Sequence, residues 1–211
     1  MAQEERRLAA VVQADVVDYS RLIGLDEDGT RVRLQAHRAE WIDPKIAEHG
    51  GRIVKTMGDG LLLEFASAVN ATHCAIDIQS GMINRNAGLD DDQAIRFRIG
   101  VNLGDVVVDG DDIYGDGVNV AAHLVALAEP GNIYLSRAAR DQVLDRIDLP
   151  LEEAGEVEVE NIAQPVQIFR ITLKIALKPS ITGGLTRSHR YGLAAVIAIL
   201  VAYYSYDIWY G

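Results

Sequence analysis

The chain has 211 residues, 49% of them hydrophobic, and a formal net charge of −11 at pH 7. This length suits one globular domain with some chain left over, and the apolar content is enough for a sizeable core. The acidic balance argues against a nucleic-acid binder, which would present a basic face. It leaves room for a phosphate-bearing substrate, because a bound divalent cation reverses the local charge.

The first part of the chain predicts alternating strands and helices. The predicted elements are a strand at 8–17, a helix at 26–49, two hairpin strands at 52–56 and 61–65, and a helix at 68–87. Pro44 should bend or divide the first helix, because proline lacks a backbone donor and clashes with the preceding turn. Gly58-Asp59-Gly60 is a strong turn signal between the hairpin strands, and Ser67 is a candidate N-cap for the second helix.

The second part continues the mixed pattern. The predicted elements are strands at 95–103 and 105–108, an extended piece at 113–114, a helix at 118–128, a strand at 132–135, a short helix that Ser136 caps and that ends near 144, and a strand pair at 151–159 and 166–173. The early order β-α-β-β-α-β is the split βαβ arrangement of ferredoxin-like folds. We therefore predict an α+β sandwich in which a central, mainly antiparallel sheet carries its flanking helices on one face.

The C-terminal segment has a different composition. Residues 174–190 contain Pro179 and two adjacent glycines and are interpreted as a linker. Residues 191–206 carry no charge, follow a basic stretch and lead into aromatic residues, so we predict a transmembrane helix over 191–210. The positive-inside rule then puts residues 1–190 in the cytoplasm, at the inner or cytoplasmic membrane. The alternative is a packed or amphipathic terminal helix, in which case the protein is cytoplasmic.

Two aspartates form a candidate metal site. Asp15 closes an apolar strand and Asp59 lies at the tip of the hairpin. In a split βαβ fold these elements are neighbours, so we expect the two carboxylates to converge. Oxygen ligands of this kind suit Mg²⁺ or Mn²⁺, and a paired metal site fits in-line displacement at phosphorus. The alternative is a strand-end turn residue and an ordinary Asp-Gly turn, but Lys55 on the same hairpin favours a site.

A second group of polar residues lies further along the chain. Asn119 and His123 are four positions apart and share one face of the predicted helix, with Asp112 just before it. Lys55 and Asp112 together offer one donor and one acceptor, which suits the edge of a purine. The alternative is an aspartate-rich loop followed by an amphipathic helix with a polar face.

Three motifs of this sequence stand in the order and spacing of a known family. They are Ala14-Asp15-Val-Val, Lys55-Thr-Met-Gly-Asp59-Gly, and Asp112-Ile-Tyr-Gly115 followed by Val118-Asn119-Val-Ala-Ala. Together they resemble the class III adenylate/guanylate cyclase catalytic domain, and the similarity covers about residues 7–172. We therefore assign residues 1–173 to a domain with the class III nucleotide cyclase fold.

The resemblance implies a homodimer with composite sites between the two chains. By this resemblance, Asp15 and Asp59 of one chain bind two divalent cations, Mg²⁺ or Mn²⁺, while Lys55 and Asp112 of the other recognise adenine. Asn119 then helps to orient the ribose and the transition state. The implied reaction is attack of the ribose 3′-oxygen of ATP on the α-phosphorus, which gives cyclic AMP and pyrophosphate. The lysine and aspartate disfavour GTP.

Three positions depart from the family's pattern, and each becomes less positive near a polyanionic substrate. His123 stands where the family usually has arginine, Asp18 where it often has glycine, and Glu160 near a common lysine. Losing one contact of this kind typically costs about 10²–10³ in rate. The sequence therefore leaves two functions open. One is an adenylate cyclase of low activity; the other is a degenerate cyclase domain that binds nucleotide or serves as a heterodimer or regulatory partner.

Overall fold

The computed structural model describes residues 5–159 and 165–173. The elements are β1 (Glu5–Val16), α1 (Tyr19–Leu25), α2 (Glu27–His37), a π-helical turn (Arg38–Ile42), α3 (Asp43–Glu48), β2 (Gly51–Met57), β3 (Gly60–Phe65), α4 (Ala68–Arg85), β4 (Phe97–Asp109), β5 (Asp112–Tyr114), α5 (Asp116–Leu127), β6 (Ile133–Ser136), α6 (Arg137–Val143), β7 (Glu152–Val157) and β8 (Val166–Ile171). The predicted linker at 174–190, the transmembrane helix at 191–210 and Glu160 all lie outside the described residues. Within the described ranges, no helix is both long enough and apolar enough to cross a membrane.

Eight strands of the described chain form one sheet. Its order is β2-β3-β1-β4-β6-β8-β7, and β5 pairs with β4 off this path. The pairings are antiparallel except between β4 and β6, which run parallel. This arrangement confirms the predicted α+β class and the mainly antiparallel sheet. It also places β1 and β3 side by side near the centre, which brings the end of β1 next to the tip of the β2–β3 hairpin.

The sheet is covered on both faces. Ala10 and Val12 of β1 belong to the larger core, which includes residues of α1 to α4 and α6. Ala9 and Val11, which alternate with them, pack with residues of β5 and α5 on the opposite face. The prediction that all helices lie on one face is therefore wrong for α5. The sequence of β1 reflects this second covered face: its apolar residues run continuously because both faces of the strand are buried.

Glycine in β4 allows α5 to approach this second face. A Cβ at Gly100 would lie 2.7 Å from the carbonyl oxygen of Ala121 and from the backbone nitrogen of Val125. A Cβ at Gly104 would lie 3.2 Å from the Cα of Gly117, at the start of the helix. The prediction of two strands, 95–103 and 105–108, separated at Gly104 is wrong. The residue pairs with Ala9 inside one continuous β4, where its missing side chain makes room for α5.

The structure confirms two local predictions for the helices, one at Pro44 and one at Ser67. Pro44 divides the predicted long helix. The division takes the form of a π-helical turn just before the proline, in which the N–H of Asp43 donates to the carbonyl of Arg38. The side chain of Ser67 accepts from the backbone N–H of Asn70 at 3.4 Å and so caps α4. Both predictions from local sequence signals are therefore confirmed.

Candidate active site

The β2–β3 hairpin carries two of the predicted site residues. Met57 pairs with Gly60, so the turn consists of Gly58 and Asp59, and Gly58 has a positive φ of 66°. Glycine adopts this conformation without a steric penalty, and the turn therefore forms readily from this sequence. The predicted hairpin is confirmed, and Asp59 lies at its tip beside the end of β1.

The structure brings Asp59 and Asp15 together. The backbone N–H of Val16 donates to Oδ2 of Asp59 at 3.1 Å, which ties the hairpin tip to the end of β1. Burial, followed by the hydrogen bond and charge of Asp15, raises the pKa of Asp59 to about 6. Two neighbouring carboxylates of this kind are stabilised by a shared cation, because each one disfavours ionisation of the other. The expected convergence is therefore seen, while the role of the pair as metal ligands stays a prediction.

Arg98 also belongs to this end of the site, although it was not among the predicted site residues. It stands opposite Asp15 in the β1–β4 register. Its Nη2 and Nε atoms donate to Oδ2 of Asp15 at 2.6 and 3.2 Å, and Nη1 reaches the carbonyl of Ala126 at 3.4 Å. Arg98 therefore links the candidate metal ligands to the end of α5. The sequence signal is the alternation of two arginines, Arg96 and Arg98, with apolar residues in Ile95-Arg-Phe-Arg-Ile, which indicates a polar face on this part of the strand.

Lys55 and Asp112 meet in the same chain, on the face of the sheet that α5 covers. Nζ of Lys55 donates to Oδ2 of Asp112 at 2.7 Å, while the backbone N–H of Ile113 donates to Oδ1 at 2.8 Å. The hydrogen bond from Lys55 is the main reason that the pKa of Asp112 lies below its usual range. Both side chains are part-exposed, so the pair lies within reach of a ligand.

A β-bulge determines which way Lys55 points. Arg52 pairs with Glu64 and Lys55 pairs with Leu62, so three steps along β2 match only two along β3. Directly paired residues point to the same side, and residues two apart on β3 do so as well. The bulge at Val54 therefore brings Arg52 and Lys55 to one face, where regular alternation would have separated them.

The predicted helix residues lie on α5. Asn119 is exposed, and its backbone carbonyl accepts from Nδ1 of His123 at 2.9 Å. Because a carbonyl only accepts, this contact requires the proton to be on Nδ1 of the ring. Asn119 and His123 thus share one side of the helix as predicted, although His123 is bonded to its own helix.

Comparisons with known proteins identify the family. The model of the adenylate and guanylate cyclase catalytic domain matches residues 1–172. This chain belongs to that family. An adenylate/guanylate cyclase/hydrolase from Silicibacter pomeroyi has the same fold, with a TM-score of 0.76 at 42% identity over 81% of this chain and 99% of that one.

Two relatives carry adenylate cyclase names. A protein of Rhizobium meliloti (strain 1021) named "Putative adenylate cyclase 3" is 47% identical over 171 residues, which are 80% of this chain and 29% of that protein. An adenylate cyclase of Streptomyces coelicolor is 29% identical over 152 residues, 72% of this chain and 38% of its own length. This cyclase chain therefore spans about a third of the length of the curated relatives it matches.

One departure of this cyclase domain has a structural explanation. Asp18 adopts φ 53° and ψ 33°, the left-handed region, and it is the non-glycine residue with positive φ in the described part of the chain. Glycine takes this conformation most easily, and aspartate is among the residues that tolerate it best. Asp18 therefore fits the left-handed conformation of the loop after β1, and it adds a negative charge three residues after Asp15.

The residues at the end of β1 fit a divalent cation. Asp15 and Asp59 supply carboxylate oxygens, the ligands that Mg²⁺ and Mn²⁺ prefer, and Gly60 next to them has no side chain to fill the space. A second group of possible metal ligands, Glu48, His49 and Asp77, lies at the end of α3 and on α4. Nζ of Lys45 bonds the carboxylates of Glu48 and Asp77 at 2.7 and 3.5 Å, so an ammonium already provides the positive charge there.

Proposed function

We propose that the chain is an adenylate cyclase that converts ATP into 3′,5′-cyclic AMP and pyrophosphate in a homodimer. The observation that carries this proposal is the Lys55–Asp112 pair, which sets one obligatory donor beside one obligatory acceptor. The family supports nucleotide cyclisation in general, and the pair supplies the argument for the base.

The choice of ATP depends on the order of groups along the purine edge. Adenine offers an amine that donates at position 6 and a ring nitrogen that accepts beside it. Guanine offers the same two functions in the opposite order. The pair selects ATP when Asp112 accepts from the exocyclic amine and Lys55 donates to the ring nitrogen. Relative turnover of ATP and GTP by the full-length chain tests this assignment, and equal or faster turnover of GTP contradicts it.

Asp15 and Asp59 would hold the divalent cations, and a cation bound there would neutralise the charge of the phosphate oxygens during displacement at the α-phosphorus. The N–H of Val16 keeps the Asp59 carboxylate at the end of β1. Arg98 contributes a permanent positive charge beside Asp15, and it would be available to a phosphate oxygen if Asp15 held a cation. Asn119 is an exposed amide on α5, which suits it to orient the ribose.

The proposed homodimer makes a sharp test available. In a composite site, Asp59 comes from one chain and Lys55 from the other, so chains with Asp59→Asn and chains with Lys55→Ala are inactive when purified separately. When they are mixed, each heterodimer regains one intact site, and about a quarter of wild-type activity returns under random pairing. If both residues serve a site within one chain, the mixture stays inactive.

A nucleotide-binding partner with little turnover is the second candidate function. The observation that favours it is His123, which stands in place of arginine and is bonded to the carbonyl of Asn119. This candidate predicts that the full-length chain binds ATP in the presence of Mn²⁺ without forming cyclic AMP. It also predicts that activity appears only after mixing with a second cyclase chain that supplies the missing positive charge.

A further inference from the structure

Glu64 is a buried carboxylate on β3 that two arginines hold from neighbouring strands. Its side chain is only 8% exposed. Nε and Nη2 of Arg7 on β1 reach Oε1 at 3.0 and 2.8 Å, and Nε of Arg52 on β2 reaches Oε2 at 2.7 Å. A buried carboxylate needs at least one such partner, because an unpaired charge inside the protein is costly. One arginine would meet that need, so the second invites another explanation.

Arg52 makes an additional contact that Arg7 does not make among the described residues. Its Nη1 donates to the backbone carbonyl of Asp111 at 2.7 Å, across 59 positions of sequence. Asp111 lies in the turn between β4 and β5, directly before Asp112. Arg52 therefore connects a carboxylate fixed in the sheet to the turn that carries the proposed base-reading aspartate.

Two tethers hold this turn against β2. One is the Lys55–Asp112 ion pair, and the other is the bond from Arg52 to the Asp111 carbonyl. Both depend on the β-bulge in β2, which turns Arg52 and Lys55 to the same face. A bound base has to form hydrogen bonds with Lys55 and Asp112, which weakens the bond between these two side chains and therefore the first tether. The second uses a backbone carbonyl that the base does not need, so it persists.

We propose that Arg52, oriented by Glu64, is a positioning residue for base recognition: it keeps the β4–β5 turn in place while Lys55 and Asp112 engage the purine. This inference rests on the proposed function, since it concerns the same base-reading pair. It predicts that loss of the tether weakens nucleotide binding and selectivity between purines, and that it leaves the phosphate end of the site intact.

Arg52→Lys separates this role from simple neutralisation of Glu64. Nε and Nη1 leave the guanidinium on different edges, so a single ammonium nitrogen keeps the carboxylate but loses the turn. We expect the KM for ATP to rise by about tenfold, with a similar fall in the ATP-to-GTP ratio of kcat/KM and kcat within about twofold of wild type. Arg7→Lys is the matched control, because it changes the other arginine that binds Glu64. It should alter none of the three: the KM for ATP, the ATP-to-GTP ratio or kcat.

Amide hydrogen exchange of the full-length chain tests the tether without reference to turnover. Arg52→Lys should speed exchange in residues 109–113 and leave β1 and β3 unchanged, while Arg7→Lys should leave residues 109–113 as they are. Unchanged exchange in Arg52→Lys overturns the inference, whether or not the protein is a cyclase. Equal loss of selectivity in both variants also overturns it. Absence of cyclic AMP formation by the wild type instead counts against the proposed function, and the exchange data then still decide the role of Arg52.

Discussion

Lys55 donates a hydrogen bond to Asp112 at 2.7 Å within one chain, although 57 positions separate them in sequence. With 41% and 47% of their side chains exposed, they form an ion pair of the kind that contributes little to stability. Because the pair contributes little to stability, it is free to bind a ligand. A base that inserts there finds a donor and an acceptor already in place. The tip of the β4–β5 hairpin has to reach across the sheet to β2 for this contact to exist.

Asp112→Asn should therefore reduce activity without unfolding the protein. The amide keeps an acceptor but loses the charge and the strong bond from Lys55, so we expect kcat/KM for ATP to fall by about 10- to 100-fold. The fall in kcat/KM for GTP should be smaller, so the ATP-to-GTP ratio of kcat/KM should decrease. Initial rates of cyclic AMP and cyclic GMP formation measure both effects. Asp111→Asn is the control and should behave as wild type, because among the described residues Asp111 contacts Arg52 through its backbone carbonyl and not through its side chain.

The raised pKa of Asp59 predicts a specific dependence of stability on pH. Its pKa is about 6 in the folded protein against 3.8 in the unfolded chain, so the folded state binds the extra proton between these values. The free energy of unfolding should therefore decrease as pH rises through this window, in the absence of divalent cations. Asp59→Asn cannot ionise and should lack this part of the decrease.

Urea unfolding midpoints at several pH values, in the presence of a chelator, measure the effect. The wild-type midpoint should fall relative to that of Asp59→Asn as the pH passes from below 4 to above 6, the interval between the two pKa values. Added Mn²⁺ should then raise the wild-type midpoint above pH 6 and leave the variant unchanged. Parallel curves for the two proteins would show that the pKa of Asp59 is not raised in the folded protein.

The sequence was sufficient for the parts of the fold that local patterns specify. The Gly58-Asp59-Gly60 turn, the Ser67 cap and the division at Pro44 each depend on a few adjacent residues, and each was predicted. Arg98 and the bulge at Val54 depend instead on which strand lies alongside. The partner of Arg98 is Asp15, and the two meet only because β1 and β4 pair in one particular register.

The position of α5 shows the same limit. Gly104 gives the same local signal whether it ends a strand or admits a helix, and only the approach of Gly117 to it decides between the two. Likewise, regular alternation along β2 would place Arg52 and Lys55 on opposite faces, so the sequence pattern hides the network that connects Arg52 to the β4–β5 turn. Metal binding by Asp15 and Asp59 stays a prediction.

Gly100→Ala should disrupt the seat of α5. The new Cβ would lie 2.7 Å from two backbone atoms of the helix, and backbone cannot move aside as a flexible side chain can. We expect the free energy of unfolding to drop by about 1–3 kcal/mol. We also expect the activity of the folded protein to fall, because Asn119 and His123 shift with the helix. Gly24→Ala is the control: nothing lies within 4 Å of the new atom, and stability should be unchanged or slightly higher. Equal midpoints for both variants would contradict the close approach.

His123→Arg decides between the active cyclase and the nucleotide-binding partner. The imidazole is short and is bonded to the carbonyl of Asn119, whereas a guanidinium on the same helix face is longer and permanently charged. If the phosphate end of the site lacks positive charge, the substitution should raise kcat for ATP by about tenfold or more with little change in KM. His123→Gln, which is neutral, should give no gain and shows whether the charge is responsible. If all three proteins turn over ATP at the same rate, position 123 does not contact the transition state, and the departure at His123 offers no argument for a degenerate domain.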